Sequence, residues 1–167
     1  MTADIGLRRP TEDDQPRIVA VADHWFAGRR VWPLLVHAWF RDFAGTSLIA
    51  DAPDGSARGF LVGYRSPERP DEAVLHLAGV DPNHRRRGLG RTLVEAFAAD
   101  AAGSGATIVR AVAWPDDPIA VAFFRAVGFE TEAGPGSQRL YGVPAYPDFE
   151  AAGEDRAVFV RRLVGPG

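Results

Sequence analysis

A single-domain mixed α/β fold is expected of this chain for three reasons. Its 167 residues, 46% of them hydrophobic, can bury one sizeable core. Strand-like apolar runs at Ala73 to Val80 and Thr107 to Ala113 bracket a helix-like run from about Gly88 to Ala102. Strand, helix, strand implies parallel pairing through a right-handed crossover, so the sheet carries at least one parallel pair.

The remaining elements follow in order. Ile5 to Arg9 is a short strand, and Pro10-Thr11-Glu12-Asp13-Asp14 has the polar cap and early acids of a helix start. That first helix runs to about Phe26, because Ile18, Val21, Ala22, Trp25 and Phe26 recur at helical spacing. Ala27-Gly28-Arg29-Arg30 breaks it, and Val31 to Phe43 reads as a second, strongly apolar helix. Ser47 to Ala52 and Gly59 to Arg65 are strands joined by the turn Pro53-Asp54-Gly55-Ser56. After a polar loop at Ser66 to Asp71 come the crossover unit and a helix over Pro118 to Val127. Gln138 to Gly142 and Ala157 to Leu163 are expected to close the sheet as an antiparallel pair, bringing it to about seven strands. Between them lies a long proline-punctuated segment, Val143 to Asp155, which is either functional or a surface loop tucked under its aromatics. No repeat or linker divides residues 1–167.

Composition excludes several chemistries. The chain has no cysteine, so it has no disulfide, thiolate metal site or covalent acyl-cysteine. It has no lysine either, which removes Schiff-base chemistry. Its net charge of -3 provides no basic field for nucleic acid. His24, His37, His76 and His84 show no paired ligand spacing, and no metal is expected. The start lacks an apolar core of signal-peptide length and no later run reaches a membrane span, so a soluble cytoplasmic protein is expected. Basic residues that are all arginine, with abundant alanine, match the codon bias of a GC-rich bacterial genome.

The most specific stretch is Arg85-Arg86-Arg87-Gly88-Leu89-Gly90-Arg91, set between a strand and a helix. Glycines there let backbone N-H groups approach a bulky anion, the helix start adds partial positive charge, and four arginines add full charges. A Walker loop would need Gly-Lys-Ser/Thr, and a dinucleotide fingerprint would need a small residue where Leu93 stands.

With the preceding Val80-Asp81-Pro82-Asn83-His84, this stretch resembles the acyl-CoA pyrophosphate loop of the GNAT N-acetyltransferase superfamily, whose Arg/Gln-x-x-Gly-x-Gly/Ala pattern is filled by Arg85, Gly88 and Gly90. Asp117 to Glu130 resembles the same family's helix and Gly-Phe turn after the fifth strand. The resemblance implies a GNAT-like single domain with a mixed, mostly antiparallel sheet, a splayed parallel pair near Val80 and Val109, and helices on both faces. It implies acetyl-CoA as cosubstrate, held by Val80 and by Arg85, Arg86, Arg87, Gly88, Leu89, Gly90 and Arg91.

The family usually has asparagine and, seven residues later, an acid tyrosine where this chain has Asp117 and Phe124, and the resemblance places both at the cofactor. Phe124 can pack against the cofactor but cannot donate a proton. Tyr64, Tyr141 and Tyr146 are substitutes, each also readable as packing or surface.

Strand alternation places Val74, His76, Ala78 and Val80 on one face, with His76 the polar exception. With an ordinary pKa near 6.5 it suits removal of a proton from an ammonium, and family members acting on arylalkylamines resemble this chain in having a histidine here. A core histidine bonded to a carbonyl is the alternative. Where the first two helices meet, the resembled fold forms an acceptor wall: Trp25 would stack, and Arg29 or Arg30 would pair a carboxylate or phosphate. Tyr146 belongs to the long segment that borders the acceptor in the family.

The expected activity is acetyl transfer from acetyl-CoA to a primary amine, most simply of a small molecule, by direct attack. The alternatives are a protein N-acetyltransferase and a non-catalytic acyl-CoA sensor. Acceptor identity, acyl length and oligomeric state, a homodimer included, are left open.

Overall fold

The computed structural model describes residues 4–164. Residues 1–3, part of the start read as lacking a leader, and 165–167 lie outside the described residues. Seven strands form one sheet in the order β1-β2-β3-β4-β5-β9-β6: β1 (Gly6–Arg8), β2 (Leu48–Asp51), β3 (Ala57–Arg65), β4 (Glu72–Val80), β5 (Ile108–Ala113), β6 (Glu130–Thr131) and β9 (Ala157–Arg162). Every neighbouring pair is antiparallel except β4 and β5. The crossover between those two is α3 (Leu89–Gly103), as strand-helix-strand order requires.

Helices cover both faces. α3 and α4 (Pro118–Ala126) bury Leu93, Val94, Phe97, Val121 and Phe124 against one face. α1 (Asp14–Trp25) and the segment after it bury Ile18, Trp25, Leu35, Trp39 and Phe40 against the other. α1 is fastened to β1 by Asp14, whose carboxylate accepts two bonds from Arg8, at 2.8 and 2.7 Å, and one from Arg17 at 2.9 Å. Burial alone would raise the Asp14 pKa. The Arg8 fork and the Thr11 N-H outweigh it and hold the carboxyl below its ordinary range.

Two expected elements differ. The helix expected over Val31 to Phe43 is a 3-10 turn at Trp32–Leu34, one turn of α-helix, α2 (Ala38–Arg41), and a second 3-10 turn at Ala44–Thr46. Val31, Leu35 and Trp39 are all buried at fourfold spacing, which imitates a helical stripe. The backbone leaves helix at Leu35, at φ -102° and ψ 57°. Local bonds hold the shape: Asp23 accepts the N-H groups of Val31 at 2.8 Å and Trp32 at 3.0 Å.

The second difference is at the carboxyl end. Gln138 to Gly142 does not join the main sheet; β7 (Gln138–Leu140) folds back on β8 (Val143–Ala145) as a separate hairpin, and the short β6 takes the edge beside β9. Tyr141 at φ 51° and Gly142 at φ 78° are two left-handed residues in succession, the geometry of a tight two-residue hairpin turn. Among the described residues no helix is long and apolar enough to cross a membrane.

Candidate active site

The site begins with an irregularity in β4. Val62 pairs with Leu77 and Gly63 with Leu75, so His76 is skipped: it is the extra residue of a β-bulge. The bulge reverses the alternation. Ala73 and Leu75 face α3, as do Ala78 and Val80, whereas Leu77 joins the cluster under α1 and His76 stacks on Trp39 there. The grouping of Val74, His76, Ala78 and Val80 on one face is therefore corrected, since alternation assumes an unbroken ladder.

A bulge also bends its strand. The parallel pairing of β4 with β5 stops at Leu75 and Ala111, although β4 continues to Val80 along β3 and β5 to Ala113 along β9. Past that point the edge of β4 that faced β5 is open, and His76 is the first residue beyond the parting. Its Nε2-H donates to the Leu34 carbonyl oxygen at 3.1 Å, and its ring lies 4.5 Å from that of Trp39, nearly parallel. A carbonyl only accepts, so Nε2 carries the proton and Nδ1 carries the lone pair. Nδ1 has no partner among the described residues. Because no buried side-chain nitrogen or oxygen among the described residues lacks one, Nδ1 of this half-buried ring has access to solvent. Burial lowers the His76 pKa, against the opposing pull of the Leu34 carbonyl and of Glu150. The imidazole is thus neutral near pH 7.

β4 leads into the glycine loop. Asp81 accepts from the Asn83 N-H at 3.0 Å and from His84 Nδ1 at 3.1 Å, shaping a 3-10 turn at Pro82–His84. Arg86 at φ 62° and Gly88 at φ 81° then turn the chain into α3. The first bond of that helix joins the Thr92 N-H to the Gly88 carbonyl, and no side chain caps its start. Four backbone N-H groups, of Gly88, Leu89, Gly90 and Arg91, are left for an anion. Arg86 and Arg87 are exposed and make no hydrogen bond among the described residues.

The other expected loop side chains are engaged elsewhere. Arg85 turns back, donating from Nε to the Val80 carbonyl at 3.3 Å and from Nη2 to the Trp25 carbonyl, so it closes the carboxyl end of α1 in place of reaching outward. Arg91 does the same for α4, through the Ala126 carbonyl at 2.7 Å. Gly90 serves packing: an added Cβ would stand 2.8 Å from the Phe123 ring. Asp117 spends its carboxylate as the N-cap of α4, accepting from the Ala120 N-H at 3.1 Å. Phe124 is buried, stacked on Phe159 at 5.0 Å and edge-on to Phe129 at 5.2 Å, so core packing accounts for it.

On the acceptor side, Trp25 is 4% exposed and packs on Phe60, which makes it a core residue and corrects its reading as a stacking surface. Tyr146 binds Glu132 at 3.1 Å and the Gly134 N-H at 2.9 Å through its hydroxyl, tying loop to sheet. Arg30 is exposed and lies over Trp32 at 5.3 Å. Arg29 instead lies over Trp114 at 4.5 Å, with Nη2 donating to Asp116 at 2.8 Å. Trp114 and Asp116 were not singled out in the sequence, nor was the buried Arg156, which also lies over Trp114 at 4.8 Å. Their signal was available: Trp114 directly follows the carboxyl end of the second parallel strand, where open α/β sheets bind ligands.

Residues 14–129 match the acetyltransferase (GNAT) family. The chain belongs to that family. Among its relatives is an L-2,4-diaminobutyric acid acetyltransferase of Nocardia farcinica, 38% identical over 117 residues; the match spans 70% of this chain but only 60% of the relative's length. An L-2,4-diaminobutyric acid acetyltransferase of Streptomyces coelicolor is 30% identical over 81% of this chain and 84% of its own. The diaminobutyrate acetyltransferase of Paenibacillus lautus, solved with L-2,4-diaminobutyric acid and coenzyme A, shares the fold, with a TM-score of 0.71 over 99% of both chains at 19% identity. The mixed sheet and its parting parallel pair are thus those of a GNAT protein, a family whose cosubstrate is acetyl-CoA.

Proposed function

We propose that this chain is an acetyl-CoA-dependent N-acetyltransferase of a small primary amine, and that L-2,4-diaminobutyric acid, the acceptor in its relatives' names, represents its substrate class. The observation that carries the reading is the β4 bulge. One extra residue parts the parallel strands, opens a backbone edge leading to the uncapped start of α3, and sets His76 at the parting with Nδ1 open.

The open N-H groups from Gly88 to Arg91, with Arg86 and Arg87, fit a diphosphate. The open edge of β4 up to Val80 fits an amide-bearing arm. The acceptor nitrogen bonds the acyl carbon, the carbon-sulfur bond breaks, and the proton lost by the amine passes to His76 Nδ1 directly or through water. Positioning supplies about 7 to 11 kcal/mol of such a barrier, and a placed base about 100- to 10,000-fold. Phe124 offers no proton to the departing sulfur, which leaves as thiolate. A bacterial setting agrees with the relatives and the arginine-only basic residues.

Thiol release from acetyl-CoA tests the reading, using L-2,4-diaminobutyric acid, a peptide with a free N-terminus, and no acceptor. Turnover with the diamine and not the peptide is the expected result. Preference for the peptide would make the chain a protein acetyltransferase, and coenzyme A binding without thiol release from any amine would make it a sensor.

A further inference from the structure

Arg29 follows α1, which packs on β3 and β4; Trp114 and Asp116 follow β5. The Arg29–Asp116 bridge therefore runs from the end of α1 to the loop after β5, beyond the last paired residues of β4 and β5. Its two side chains keep 32% and 43% of their surface in solvent. An ion pair so exposed contributes little to stability, so it is a weak staple and easily exchanged. Its geometry is nevertheless set, because the guanidinium lies over the Trp114 ring at 4.5 Å. Arg156, over the same ring, is not exchangeable in this way: it is buried, donating to the Asp155 carbonyl at 2.7 Å and to Glu154 at 3.1 Å. Arg30 lies on Trp32 and has no carboxylate partner among the described residues.

An α-amino acid carries the complementary charges on one carbon. Its carboxylate matches Arg29 and its ammonium matches Asp116, so binding replaces one exposed ion pair by two. We propose that Arg29 and Asp116, held by Trp114, are the specificity-determining pair that recognises the zwitterionic head of an amino-acid acceptor. The inference rests on the small-amine acetyltransferase reading above. It distinguishes Arg29 from Arg30 and gives the site a reason to prefer an amino acid over a plain amine.

Steady-state kinetics with L-2,4-diaminobutyric acid and with 1,3-diaminopropane, which lacks the carboxylate, test it, with coenzyme A affinity by calorimetry as the check on folding. Arg29→Gln should raise KM for diaminobutyric acid about tenfold or more, with kcat and the KM for diaminopropane within a few fold of wild type. Asp116→Asn should raise KM for both diamines, since both bring an ammonium. The double variant Arg29→Asp with Asp116→Arg keeps an ion pair between the two positions; it should not restore the KM for diaminobutyric acid. If the exchanged pair does restore it, or if Arg29→Gln affects both amines alike, the bridge is structural and the proposal is overturned. Wild-type protein that binds coenzyme A but acetylates neither amine would instead bring down the reading on which the proposal rests.

Discussion

Among single residues, His76 carries the heaviest demand, and its surroundings decide the pH at which it can act. Burial disfavours the imidazolium, so its titration falls below the ordinary 6.5. The rising limb of kcat/KM against pH should therefore lie on the acid side of 6.5, and activity should be flat through neutrality until another group titrates. His76→Gln can still donate to the Leu34 carbonyl but cannot take a proton. It should keep coenzyme A affinity, lose about 100-fold in kcat/KM and lose that acid limb. Turnover within a few fold of wild type would leave the acceptor amine to shed its proton to water. The same shift bears on stability. The unfolded chain takes up this proton first as pH falls, so the contribution of His76 is complete above about 6.5 and is lost between that pH and the lower folded-state pKa.

At the scale of elements, the bulge in β4 does what the surrounding strands alone would not. Residues on either side of His76 already face their partners in β3 in the correct register. Deleting His76 should therefore leave a regular ladder with Ala73, Leu75 and Ala78 facing α3 as before. The expected product folds, yet its β4 edge continues pairing with β5 and closes the slot, abolishing the rise in melting temperature that coenzyme A gives wild type. A deletion variant that still binds coenzyme A with wild-type affinity would show that the parting has another cause. The bulge also marks what the sequence could and could not reveal. The glycine loop, the crossover and α3 were legible because their signals are local: Gly88 needs its left-handed φ, and the apolar runs have the right lengths. The bulge was not, because an extra residue in β4 is defined only against β3, and nothing in Leu75-His76-Leu77 distinguishes it from an unbroken strand. The segment after α1 misled for the opposite reason: burial of Val31, Leu35 and Trp39 gave tertiary packing the spacing of a helix. Side-chain destinations were the least legible. Arg85 and Arg91 share the composition of Arg86 and Arg87, and only the nearby ends of α1 and α4 divert the first two from the loop.

For the whole molecule, ligand and fold are linked by mass action. Coenzyme A at 100 times its dissociation constant should stabilise the native state by about 2.7 kcal/mol, a rise of roughly 5 to 10 °C in melting temperature for a chain of this size. Arg86→Glu with Arg87→Glu should remove most of that rise. It should barely change the melting temperature of the ligand-free protein, since both side chains are exposed and make no hydrogen bond among the described residues. A wild-type-sized rise in that double variant would assign the diphosphate to backbone N-H groups alone.

The stacking of His76 on Trp39 gives the protein an optical readout of its own chemistry. An imidazolium is an electron acceptor, whereas neutral imidazole is a poor one, and the rings are 4.5 Å apart and inclined by only 20°. Trp39 emission should therefore dim as His76 takes a proton. Of the four tryptophans, Trp39 alone stacks on a histidine, so its fluorescence follows the protonation of the proposed base without any substrate being turned over.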